Sequence, residues 1–363
     1  EQAASTETLR RIVESLQKLK HTAFIDLNDV ILEEFYTDNL IKEWNDLAVF
    51  AVDGSKLNLP FSDELTKDFG IKTKCGMMPQ AIISSCYDVL NEIIIDSKIE
   101  KADGNERIMA LSHIDALKKI NERHLILFDR GYSAIWFMLC LIINNIEFAM
   151  RLKIDFPKVK SFIESGEMSS IMEFDYCPWK SLQQLKKLGI EFRTIKMRFV
   201  KVILDNGIIE VIATSLMDEK KYPTDSFKEL YNYRWRIETN FNLLKNRIEI
   251  ENFTGLSTLS VLQDFYANMF ILNLRSIIAR DVQSDIDKSK IKADYRYKVN
   301  KNLSLGYMKD KVVNILTSGS DRYLVELKTL FKVDPVPIRN GRKFPRNMNM
   351  THRKYSINYK KSI

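Results

Sequence analysis

Two short apolar runs, each closed by an aspartate, constrain this chain more than any other feature. Residues 47–53 read LAVFAVD and lead into Gly54; residues 124–129 read HLILFD and lead into Arg130 and Gly131. The second run is almost unbroken, which is the pattern of a strand covered on both faces rather than one with a wet side. Strands of that kind occur in α/β sheets, where strand C-terminal ends line the functional crevice. The surrounding pattern agrees. Residues 80–88 and 91–96 read as two further strands. Asp103–Ile120 reads as an amphipathic helix, Ala134–Ile143 as a buried helix and Glu147–Leu152 as a strand. Three strands in a meander followed by α/β alternation describe a mixed sheet flanked by helices.

The rest of the chain divides around that core. Residues 1–46 read as an N-terminal helical region, with 47–152 the first part of the core. Residues 153–215 carry Pro157, Pro178 and Gly189 and then strand-like runs at Glu191–Leu204 and Ile208–Ala213, so they read as a β-rich insertion domain. Residues 216–280 return to the core through a long helix over 224–248 and a second over Thr258–Arg280. Residues 281–363 form a basic C-terminal region with weaker patterning. The net charge of +7 is concentrated there: 19 Lys and Arg stand against 8 Asp and Glu beyond residue 280, leaving 36 against 40 before it. Aromatics interleave with the cations over Arg342–Lys361, a composition that favours a polyanion.

Several classes fall away. The longest apolar run, Ala134–Ile143, is far short of a membrane span. The four cysteines form no C-x-x-C pair and the four histidines show no metal-ligand spacing, which argues against a zinc ribbon or a disulfide scaffold. Reduced thiols and the lack of a signal-peptide pattern fit a cytoplasmic protein.

The helix 224–248 contains YNYRWRIETNFNLLK, residues 231–245. Tyr231, Arg234, Glu238, Phe241 and Lys245 recur at three- and four-residue steps and share one broad face. A carboxylate there can bind a divalent metal; Arg and Lys can hold phosphate oxygens. If the strands ending at Asp53 and Asp129 are adjacent, the two aspartates meet at the crevice and Glu238 closes a three-carboxylate site. Carboxylate oxygens suit Mg²⁺ or Mn²⁺. Two such ions roughly 4 Å apart serve an in-line phosphodiester displacement.

These residues resemble the IS4 family of DD(E) transposases, whose catalytic core is RNase H-like. The family's Y-x2-R-x3-E-x6-K signature is matched by Tyr231, Arg234, Glu238 and Lys245. Its D-G-[ST]-K and D-R-G-[FY] segments are matched by Asp53–Lys56 and Asp129–Tyr132, and its R-L-K strand by Arg151–Lys153. The resemblance spans about residues 47–280. It implies catalytic and metal-binding roles for Asp53, Asp129 and Glu238 with two Mg²⁺ or Mn²⁺ ions, and phosphate contacts from Tyr231, Arg234, Lys245, Arg130 and Lys56. It implies cleavage of double-stranded DNA at transposon ends, strand transfer of the 3′-OH into target DNA, a hairpin intermediate with a flipped base stacked on Trp179, and a homodimer on bacterial, nucleoid-associated DNA. Two alternatives on the same core are a stand-alone nuclease and a catalytically inactive regulator such as a transposition inhibitor.

Overall fold

A computed structural model describes residues 18–38, 41–71, 78–120, 123–291 and 293–339. The expectations for residues 1–17 and for the basic stretch Arg342–Lys361 concern residues outside that set. The chain divides into two compact units, one of residues 32–58 and 68–242, the other of residues 1–31, 59–67 and 243–363.

The first unit is built on one eight-stranded mixed sheet. Its strands are β1 (Ala48–Asn58), β2 (Gln80–Asp88), β3 (Ile93–Lys101), β4 (His124–Phe128), β5 (Glu147–Arg151), β6 (Ser169–Phe174), β7 (Ile195–Ile203) and β8 (Ile209–Thr214). The spatial order is β3-β2-β1-β4-β5-β8-β7-β6. β1, β2 and β3 form an antiparallel meander, and β4 and β5 add to β1 in parallel. This is the mixed α/β sheet that the sequence pattern leads one to expect. All nine residues of β2 are buried, as are the first five of β1 and the last four of β4. A sheet centre with no wet face is what the apolar runs require.

β1 is longer than its apolar run. It continues past Asp53 to Asn58, because β2 keeps pairing with it from Asp53↔Ser85 to Asn58↔Gln80 after the parallel partner β4 has stopped. Asp129, by contrast, lies directly beyond the last residue of β4.

Along the chain to residue 246 the helices are α1 (Thr22–Asp38), α2 (Asp63–Phe69), α3 (Glu106–Ser112), α4 (Ile114–Leu117), α5 (Ile135–Ile143), α6 (Val159–Glu164), α7 (Trp179–Lys187), α8 (Ser226–Tyr233) and α9 (Trp235–Asn246), most of α1 and α2 belonging to the other unit. Two of the expected helices are divided. The helix expected over Asp103–Ile120 breaks at His113, whose buried ring hydrogen-bonds to Ser84 and Asp96. The helix expected over 224–248 divides at Arg234. There the backbone bonds tighten to three-residue steps, Arg234 N to Tyr231 O and Ile237 N to Arg234 O, both 3.2 Å. Residues 153–215 hold more than the expected strands: α6, β6 and α7 are also present. Its strands lengthen the existing sheet, β8 pairing antiparallel with β5.

The second unit is helical. α10 (Thr258–Ser289) begins with a capping box in which Ser257 and Ser260 exchange hydrogen bonds, and it runs nine residues past the expected end at Arg280. α11 (Lys301–Ser318) and α12 (Asp321–Phe331) follow where the sequence pattern is weak. Their starts are nonetheless encoded, by Asn300 and Ser320 as N-caps, and Gly319 between them takes the left-handed conformation at φ 61°. Ile278, Val282 and Ile286 of α10 pack with Met308, Leu327 and Phe331. Each fully buried side chain of that size contributes roughly 1.5–3 kcal/mol. Short strands β9 (Tyr297–Lys298) and β10 (Val336–Pro337) pair with each other. Among the described residues no helix is long and apolar enough to cross a membrane.

Candidate functional site

The register of β1 and β4 brings two acidic side chains together. The last parallel pair is Val52↔Phe128, so Asp53 and Asp129 are the next residue on each neighbouring strand. Adjacent strands lie about 4.8 Å apart, which makes the two carboxylates close neighbours. Local bonds fix each base. Asp53 Oδ1 accepts from Gly54 N at 2.9 Å. Asp129 Oδ1 accepts from Arg130 N at 2.6 Å and so caps the 3₁₀ turn Arg130–Tyr132.

The third carboxylate arrives from the divided helix. Tyr231 on α8 is buried, and its hydroxyl donates to Phe128 O, the carbonyl just before Asp129, at 3.4 Å. That contact ties the helix to the end of β4. Arg234, at the break, is buried beneath Tyr231 and Trp235, with ring centroids at 5.6 and 4.9 Å from its guanidinium carbon. Its Nη2 pairs with Glu238 Oε1 at 2.9 Å, on the first turn of α9. Glu238 keeps 32% of its side chain exposed.

Electrostatics join these groups into one cluster. Burial is the largest influence on Asp53 and pushes its carboxyl up to about 6. Asp129 and Glu238 push the same way, while the Gly54 amide and Arg234 pull against them. One carboxyl therefore senses both of the others. The arginines are the resident counter-charges: besides the Arg234–Glu238 pair, Arg151 of β5 holds Asp129 at 3.0 Å and Glu210 at 2.5 Å. Burial alone would lower both guanidinium pKa values, yet the surrounding negative groups raise them. Several buried polar atoms here have no hydrogen-bond partner among the described residues: the Tyr132 hydroxyl and the Nε atoms of Arg107, Arg151 and Arg234. Buried donors rarely stay unpaired without a reason, and clefts built for ligands are a common one.

The donor set is entirely carboxylate oxygen, the chemistry that suits a hard divalent cation. The side chains do not enclose one as they stand. Among the described residues no three Asp, Glu, His or Cys groups are placed to hold a metal ion. As they stand, Asp129 and Glu238 each have an oxygen paired with a guanidinium.

The remaining sequence candidates are dispersed. Lys56 is exposed on β1, three residues past Asp53, and Arg130 is exposed beside Asp129. Trp179 opens α7 and is 68% exposed, so it is not a core tryptophan. Lys245 lies in the last turn of α9, where burial holds its amine below the usual range; it falls in the other compact unit. Arg151 was visible only as part of the R-L-K match. Its hold on Asp129 depends on the β4–β5 register, which no local pattern discloses.

A family model described as "Transposase DDE domain" matches residues 44–274. No curated protein matches the chain. Among solved structures, the piggyBac transposase synaptic complex with hairpin DNA is similar at 11% identity and a TM-score of 0.41. The match covers 81% of this chain and 59% of that one, too loose a likeness for residue-by-residue correspondence.

Proposed function

The chain belongs to the transposase DDE domain family, and on that premise we propose that it cuts DNA at the ends of a mobile element and joins the freed 3′-OH to target DNA. The carboxylates of Asp53, Asp129 and Glu238 are the centre of this reading. The observation that carries it is the single electrostatic cluster: adjacent strands deliver two aspartates to one place, and Asp53 responds to both Asp129 and Glu238. The spacing of Tyr231, Arg234, Glu238 and Lys245 favours an element of the IS4 kind.

Asp53, Asp129 and Glu238 would hold Mg²⁺ or Mn²⁺. The ions would supply Lewis-acid stabilisation of phosphate oxygens and of the attacking and leaving oxygens. The chain's own residues do the rest. Glu238 pairs with Arg234, and were that carboxylate turned to a cation, the buried Arg234 guanidinium would be left to meet a phosphate. Arg151 holds Asp129 in place against β5. Tyr231 locks the approach of the helix to β4. Burial holds the Asp53 carboxyl up at about 6, so it is largely ionised at neutral pH and available as an oxygen ligand. Arg130 and Lys56, both exposed, meet the DNA backbone, and Trp179 offers an open aromatic face for a flipped base during hairpin formation. The protein acts as a homodimer, each copy holding one end.

The test is an assay on a DNA fragment carrying the element's end, scored separately for cutting and for joined product. Asp53→Asn, Asp129→Asn and Glu238→Gln are each expected to lower cutting on the order of 1000-fold, equivalent to several kcal/mol of lost transition-state stabilisation, while DNA binding persists. Normal cutting by all three variants would refute the carboxylate reading. Cutting without joined product would leave a nuclease.

A further inference from the structure

The carboxylate cluster has a neighbour that neither the signature nor the strand-end aspartates include. Glu106 is the first residue of α3, directly after the cap residue Asn105, whose side chain accepts from Arg107 N and Ile108 N. Its side chain lies across Gly54. A Cβ placed on Gly54 would stand 3.3 Å from Glu106 Cγ and Cδ and 3.4 Å from Oε1. That is tighter than side chains ordinarily tolerate, so the absence of a side chain at residue 54 is what lets this carboxylate lie against the strand beside Asp53. The same turn of α3 is tied to the other aspartate's loop, since Arg107 Nη2 donates to Gly131 O at 2.6 Å.

A second observation is independent of the acidic groups. Tyr132 is buried, and its hydroxyl has no hydrogen-bond partner among the described residues. The charges that act on it are those of Asp53, Glu106 and Asp129, with Arg107 opposing them. A phenol buried without a partner forfeits about 1–3 kcal/mol. An oxygen ligand placed among those three carboxylates would give the hydroxyl its partner.

Resting on the metal-dependent reading above, we propose that Glu106 is a fourth carboxylate of the cation site, reaching it over Gly54, with the Tyr132 hydroxyl as the hydrogen-bond donor that fixes the oxygen ligands once a cation is bound. Three features support the role: Glu106 is solvent-accessible on its outer side, its position is set by a capped helix start, and it approaches from α3 whereas Glu238 approaches from α9.

The experiment is Mn²⁺ titration of the metal-free 363-residue chain, followed by the electron paramagnetic resonance signal of free Mn²⁺, with no DNA present. Thermal melting of each variant verifies the fold. Glu106→Gln is expected to weaken one class of bound Mn²⁺ at least about tenfold. Gly54→Ala keeps every charge but displaces the Glu106 side chain, and is expected to shift the same class in the same direction by less. Asp53→Asn is the reference variant. Loss of binding in Asp53→Asn with wild-type binding in both Glu106→Gln and Gly54→Ala would overturn the role of Glu106 alone. Wild-type binding in Asp53→Asn as well would overturn the cation site itself.

Discussion

Two buried acidic clusters on the same sheet behave in opposite ways. One is Asp53 with Asp129 and Glu238; the other is Asp96 of β3 with His113 and Ser84. In the second, His113 Nε2 meets Ser84 Oγ at 2.9 Å, His113 Nδ1 meets Asp96 Oδ2 at 2.8 Å, and Lys98 pairs with Asp96 at 3.0 Å. Burial pushes the Asp96 carboxyl up, but His113 and Lys98 outweigh it and hold it below the usual range. At Asp53 burial wins and the carboxyl rises to about 6. By composition the more suggestive group is the second, since serine, histidine and aspartate in hydrogen-bonded line are the parts of a hydrolytic triad. Ser84 and His113 are fully sealed from solvent, however, and both ring nitrogens are partnered. A buried polar group that is satisfied pins helices to a sheet. One left with excess charge and orphaned donors is waiting for a ligand.

The contrast is broken most severely by removing the two central groups in turn. Asp53→Asn is expected to abolish cutting while its metal-free fold persists. His113→Ala is expected to cost about 3 kcal/mol of stability by emptying a packed site, stranding Ser84 and leaving Asp96 with Lys98 alone, with cutting per folded molecule retained in the end-cleavage assay. A loss of cutting in folded His113→Ala would erase the distinction.

The pH dependence sharpens it further. Asp53 is protonated more readily in the folded state, so metal-free stability declines as pH rises from near 4 through 6, by up to about 3 kcal/mol. Asp96 has a lowered pKa, so its contribution is present above the ordinary carboxylate range and is lost as pH falls through its folded value. Melting temperatures measured against pH should therefore lose the upper decline in Asp53→Asn and the acid decline in Asp96→Asn. The smallest effect is expected from Tyr231→Phe. Its 3.4 Å bond to Phe128 O is long, and removing it should change stability by no more than about 1 kcal/mol; a large loss of cutting in that variant would show the hydroxyl touching DNA instead.

Much of this was legible in the sequence because its signals are local. Apolar runs announced β1 and β4 and placed Asp129 at a strand end, whereas β1 runs on five residues past Asp53 because β2 keeps pairing with it. Helical spacing put Arg234 and Glu238 one turn apart, and they do meet. What the sequence withheld is non-local. No pattern in residues 195–214 says that β7 and β8 join the existing sheet, because pairing depends on which edge is free. Nor does spacing reveal that Arg151 holds Asp129, or that Glu106 lies on Gly54, since both depend on elements brought together by the fold. The helices α11 and α12 were missed because their apolar positions are interrupted by lysines, although Asn300 and Ser320 carried the start signals. The break at Arg234 was hidden because no Gly or Pro stands between 224 and 248 to announce it.

The junction of β5 with β8 has a consequence for how such a chain can change. The excursion that carries β6, α7 and β7 leaves after Arg151 and returns at Ile212, and these two residues are paired Cα to Cα. Its two ends therefore sit one strand spacing apart, about 5 Å. A segment with adjoining ends can be lengthened or exchanged provided that it still returns β8 to β5 and Glu210 to Arg151. Surface specificity can drift or be grafted here, as a module, while the charged end of the sheet stays in register.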